Sequence, residues 1–217
     1  MPRSSNRNAG SDSVPKSKSK PKQKGKKSRK EQDNKKGGTG NLIALAAVVL
    51  AVAGGAYYWL NSGGGERAFL KSAAVGKSIQ SRIKTIPTRG GGHLRAGRSA
   101  SYPSIYPTSG PHDSVGTRPG FYTSRQRPEK LVHAIEHGNI VIYYDKPGDG
   151  AMEALRSWTA LYSGPWSGVV ATPMAGIGKS IVLTAWTKRL TLAEFDRAAA
   201  AAFIDLFRGR GPENRVR

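Results

Sequence analysis

Nineteen consecutive residues, Leu42 to Leu60, carry no charge: Leu-Ile-Ala-Leu-Ala-Ala-Val-Val-Leu-Ala-Val-Ala-Gly-Gly-Ala-Tyr-Tyr-Trp-Leu. As a helix they would reach about 28 Å, close to the hydrocarbon thickness of a bilayer. A helix in a soluble core needs one polar face, and this stretch has none. Its far end carries Tyr57, Tyr58 and Trp59, rings that favour a membrane interface. Ahead of it, residues 1–40 hold 13 Lys/Arg against 3 Asp/Glu and, after Met1, only Val14 as a large aliphatic side chain. Such a segment cannot bury enough apolar surface to offset its ordering entropy, so it is expected to be disordered. Its charge could attract nucleic acid, but basic residues directly before an apolar span also mark the cytoplasmic side. The expectation is a single-pass anchor over 41–60, N-terminus inside and C-terminal domain outside the plasma (inner) membrane. The bilayer is then the partner, rather than nucleic acid. Ala51-Val-Ala53 resembles a cleavage site, but the long basic leader and the apolar residues continuing to Leu60 favour retention.

Beyond the span, residues 61–86 read as a Gly/Ser linker and a stalk with loosely helical apolar spacing, interrupted at Gly76. From Pro87 to Pro128, Gly and Pro recur every few residues, which forbids long helices. This arm is expected to be pinned to the rest of the domain by Tyr102, Tyr106, Phe121 and Tyr122. The second half of the chain is more regular. A helix over Glu129–His137 ends at Gly138, and a strand runs over Asn139–Tyr144. A helix over Ala151–Tyr162, strands over Gly168–Thr172 and Ile181–Thr187, and a last helix from Thr191 complete the chain. Thr191 with Glu194 fits a capping box. The fold class predicted is α+β (or α/β), a sheet of three to five strands covered by helices in one extracytoplasmic domain over 87–213.

Chemistry concentrates in the histidines. His112 follows Thr108-Ser-Gly-Pro, and His133 and His137 flank Glu136 in His-x-x-Glu-His; His93 is the fourth. On a helix, positions i and i+4 share a face, so both imidazoles of that motif could address one ion. The same string marks inverted zinc peptidases, but those need a third acidic ligand on another helix, and no such residue stands out. Without cysteine there is no thiolate ligand, no cysteine nucleophile and no disulfide. Imidazoles alone suit copper or zinc. The metal reading uses His93, His112, His133 and His137, with Glu136 as fourth ligand or as a residue orienting one. The structural alternative has His133 and His137 bonding backbone carbonyls or Glu136 and pinning the Gly/Pro arm. Ser109 lacks a nucleophile elbow, and Gly176-Ile-Gly-Lys-Ser180 lacks the first glycine of a phosphate loop, where Pro173 stands. No substrate is identifiable.

Several strings together resemble the bacterial DUF3105 family: Pro-Thr-Ser-Gly-Pro-His112, Leu-Val-His133-Ala-Ile-Glu136-His137-Gly, Val-Ile-Tyr-Tyr-Asp145, Ile181-Val-Leu-Thr-Ala-Trp186 and Phe203-Ile-Asp-Leu-Phe-Arg-Gly-Arg-Gly-Pro212. The resemblance covers about His93 to Pro212. It implies a membrane-anchored extracytoplasmic domain of uncharacterised function, compatible with an accessory or assembly role in an envelope complex.

Overall fold

The computed structural model describes Val48, residues 63–95 and residues 97–217. The basic segment 1–40 and, Val48 apart, the apolar run 41–60 lie outside the described residues, as do the disordered tail and the anchor expected there. Among the described residues no helix is long and apolar enough to cross a membrane.

The described residues form a mixed α+β fold with four helices and one six-stranded sheet. Helix α1 (residues 63–75) tightens into a 3-10 segment, Gly76–Arg82. Strand β1 is Lys84–Thr85 and β2 is Gly120–Phe121. Helix α2 is Pro128–Glu136, β3 Ile140–Tyr144, α3 Asp149–Leu161, β4 Val169–Pro173, β5 Ile181–Ala185, β6 Lys188–Leu192 and α4 Arg197–Phe207. Across the sheet the order is β1-β6-β5-β3-β4-β2. The α3 crossover makes β3 and β4 parallel, and β2 joins β4 in parallel; β5 runs antiparallel to β3 and to β6.

The alternation of side chains sorts the sheet into two faces. On one, Ile140, Ile142, Val169, Ala171, Ile181 and Leu183 pack against α1, α3 and α4. On the other, Val141, Tyr143, Val170 and Val182 meet Leu131 and Ile135 of α2, with Tyr106 and Tyr122 from the Gly/Pro arm. The arm is indeed held by its aromatics: Tyr106 lies edge-on to Tyr143 at 5.1 Å and Phe121 stacks on Tyr144 at 5.3 Å.

Three expectations change. The sheet has six strands rather than three to five, because its outer strands, β1 and β2, are two residues long and carry no periodic signal. The apparent capping box at Thr191 is instead the end of β6: Thr191 pairs with Val182, and α4 is capped by Asp196, whose carboxylate accepts from the Ala199 amide at 2.9 Å. That hydrogen bond, chiefly, holds the Asp196 carboxyl below its usual range. The stalk region, finally, is part of the core. Phe69, Ala73 and Ile79 are buried there, with Phe69 edge-on to Trp158 and Tyr162.

The 3-10 segment begins at Gly76, where the chain passes close against α4. A Cβ there would stand 2.0 Å from the Ala198 carbonyl oxygen and 3.0 Å from the Ala202 methyl. Backbone meets backbone at this crossing, so nothing flexible can give way. Gly76→Ala is expected to destabilise the fold by about 2–3 kcal/mol, read as a lowered midpoint in thermal or denaturant unfolding.

Candidate metal centre

Helix α2 exists because Pro128 sets the first turn with Glu129 beside it, and because Gly138, at φ 101°, turns the chain out of the helix. Its last two turns carry His133, Glu136 and His137. The helix packs on the sheet through Leu131 and Ile135, which turns the histidine-bearing flank toward the Gly/Pro arm.

The arm delivers the other two histidines by pairing with itself. Residues 90–94 and 110–112 run side by side, through Gly110 N–H to the Gly90 carbonyl, His112 N–H to that of Gly92 and Leu94 N–H to that of His112, at 2.7–3.0 Å. His93 and His112 are thereby opposed in a parallel bridge. The arm is then sewn to α2: Thr117 N–H donates to the Lys130 carbonyl at 3.0 Å. Gly116 allows the approach, since a Cβ there would meet the His133 ring at 2.9 Å. Ser109 accepts from the Arg89 amide, which gives it a structural occupation.

The four rings converge. His93, His112 and His133 each offer a ligand atom within 4.8 Å of the others. Ring centroids lie 5.3 Å apart for His93 and His112, 5.2 Å for His112 and His133, and 5.2 Å for His93 and His133, whose planes are nearly parallel. His112 and His133 are buried; His93 is exposed. His112 donates its Nδ1–H to the Gly110 carbonyl at 2.8 Å, and His133 donates its own to the Asp113 carbonyl at 2.7 Å. These bonds commit Nδ1 of each ring to a backbone carbonyl and leave Nε2 as the atom available to a ligand. His112 Nε2 is fully buried and has no hydrogen-bond partner. Glu136 Oε2 stands 2.8 Å from it, yet the pair is not aligned as a hydrogen bond.

His137 completes the cluster from the side. Its Nε2 is 2.9 Å from His133 Nε2 and 3.0 Å from Glu213 Oε2. One N–H cannot serve both, so Glu213 is the alternative acceptor if His133 is otherwise engaged. Trp166 stacks on the His137 ring at 3.9 Å. Burial, then the neighbouring His133, lowers the His137 pKa and favours the neutral ring. Chemically, the arrangement is a nitrogen-rich cluster bordered by two carboxylates, enough negative charge to balance a divalent cation.

Glu213 and Trp166 carry no motif of their own and were not among the expected residues. Both arrive by local devices. Asn139 bonds Pro165 O and Gly168 N, which fixes the loop carrying Trp166. The C-terminal tail crosses the end of α2 on facing glycines: a Cβ on Gly211 would lie 2.1 Å from the Glu136 carbonyl oxygen and 2.4 Å from Gly138 N. The signal was the pair of glycines, Gly138 and Gly211, at two chain turns far apart in sequence. The Gly176–Ser180 stretch is a plain β4–β5 connection, with the Gly176 and Gly178 amides donating to the chain's own Asp145 carboxylate at 3.1 Å each.

Residues 93–217 match the family model DUF3105, described as a protein of unknown function. No curated protein and no solved structure matches the chain.

The glycine crossing yields a prediction. Gly211→Ala should push the tail off α2, cost about 1–3 kcal/mol in unfolding stability, and shift the His137 ring resonances in a ¹H–¹⁵N spectrum as Glu213 withdraws.

Proposed function

The chain belongs to the DUF3105 family, and on that premise we propose that its domain binds a transition-metal ion of the copper or zinc class through His93, His112 and His133. One observation carries the reading: ligand atoms of His93, His112 and His133 lie within 4.8 Å of one another, with His112 wholly buried. Imidazole nitrogens gathered this closely suit a shared ion of the copper or zinc class. The Nδ1–H bonds of His112 and His133 to backbone carbonyls support the same reading, because ligating histidines usually fix their second nitrogen this way. Glu136 borders the triad at His112, its Oε2 2.8 Å from Nε2, and would balance the ion's charge there. With His133 engaged, His137 would turn its N–H to Glu213.

A bound ion would supply Lewis acidity or redox capacity, depending on the metal; this chain's residues hold it, balance its charge and shield it on the His112 side. The same bonds also favour a second reading, a non-enzymatic accessory domain in which His112 and His133 pin the arm to α2. The peptidase reading of His-x-x-Glu-His has less support. His133 and His137 face one another directly, and Glu136 turns to His112. The location belongs to the proposal as well: a single span at 41–60, a cytoplasmic basic tail and an extracytoplasmic domain, supported by the charge-free length and the terminal aromatics.

The test is titration of the chelator-treated full chain with Zn²⁺ and Cu²⁺. We expect about one equivalent bound, with affinity lowered about 100-fold or more in His112→Ala and His133→Ala. A folded chain that takes up no ion, yet loses stability in the same variants, would establish the pinning role instead.

A further inference from the structure

A second cluster lies beside the histidines and takes no part in them. A cleft of about 300 Å³ has apolar walls from Trp186, Phe207 and Pro212, and Lys188, Arg210 and Arg215 also line it; no acidic residue does. Arg210 and Arg215 are backbone partners in an antiparallel bridge. Directly opposed residues in such a bridge project to the same side, so two guanidinium groups are held on one face. Like charges so placed oppose folding. Some arginines of the fold have carboxylate partners, as in Arg82–Asp196 and Arg217–Asp205. Among the described residues neither Arg210 nor Arg215 makes an ion pair. The apolar core does not require this pair, since both side chains belong to exposed residues of the tail.

We propose that this cleft binds a phosphate monoester carrying a small apolar or aromatic group. Two guanidinium forks match phosphate oxygens in pairs, and Lys188 adds a third positive charge. Trp186 and Phe207 give the substituent a wall to lie against. The volume suits a small ligand, at the lower end of known pockets. The site stands independently of the metal reading, since it shares no ligand residue with the histidine cluster.

The test uses the full chain, freed of metal by chelation, and phenyl phosphate as probe in calorimetric titration. Saturable 1:1 binding is expected, weakened about tenfold or more in Arg210→Gln/Arg215→Gln. Lys16→Gln/Lys18→Gln removes the same charge from the basic N-terminal run and should leave that binding unchanged. Inorganic phosphate should bind more weakly than phenyl phosphate. The arginine variant should melt no lower than the unsubstituted chain, because removal of opposed charges relieves the tail. Retention on phosphatidic acid vesicles that needs both arginines would make the ester a lipid headgroup; phenyl phosphate binding without such retention would make it a soluble one. No saturable binding, an equal loss in both double variants, or equal affinity for the two phosphates would overturn the proposal.

Discussion

Every residue of β3, from Ile140 to Tyr144, is buried, so the sheet must be covered on both faces. The helices α1, α3 and α4 cover one. The other receives only a short helix, α2, and the remaining apolar surface falls to an arm too rich in glycine and proline to form a helix itself. An arm of this kind has order only where it touches something. Its own backbone bonds between 90–94 and 110–112, and its stitches to α2, are therefore consequences of the need to close that face. The histidines are gathered by the same closure, since two of them ride on the arm and two on the helix it seals.

This division also explains what could be foreseen from residue patterns. The i, i+4 spacing of His133 and His137 and the stop at Gly138 are local, and α2 ends one residue from where they indicate. Strand β3 is equally local, a β-branched and aromatic run. The β5–β6 hairpin was hidden, because its two turn residues are Trp186 and Thr187, and Thr187 takes φ 59° where glycine or asparagine would have announced the turn. With the hairpin hidden, Thr191 and Glu194 looked like a cap. Side-chain bonding at Asp196 wins that contest, because Thr191 is already committed to pairing with Val182. Contacts such as His137 with Glu213 depend on a backbone crossing, and no sequence spacing encodes that.

Charge distribution in the folded part follows a simple logic. Beyond residue 60 the chain holds 22 Lys/Arg and 11 Asp/Glu, so acidic groups are scarce. Glu136 and Glu213 are spent on histidines, Asp145 on backbone amides, and Asp196 on a helix end. A fold with few carboxylates places them where an oxygen acceptor is needed most, and leaves much of its positive charge on the surface.

The insertion of Phe69, Ala73 and Ile79 between α3 and α4 has a practical outcome for anyone cutting the gene. The stretch recognised as the family begins at residue 93, yet the buried core takes in Phe69, two dozen residues earlier. An expression product trimmed to the family limits would leave Trp158 and Tyr162 without their aromatic partner and open a greasy trench along the sheet, an invitation to clump.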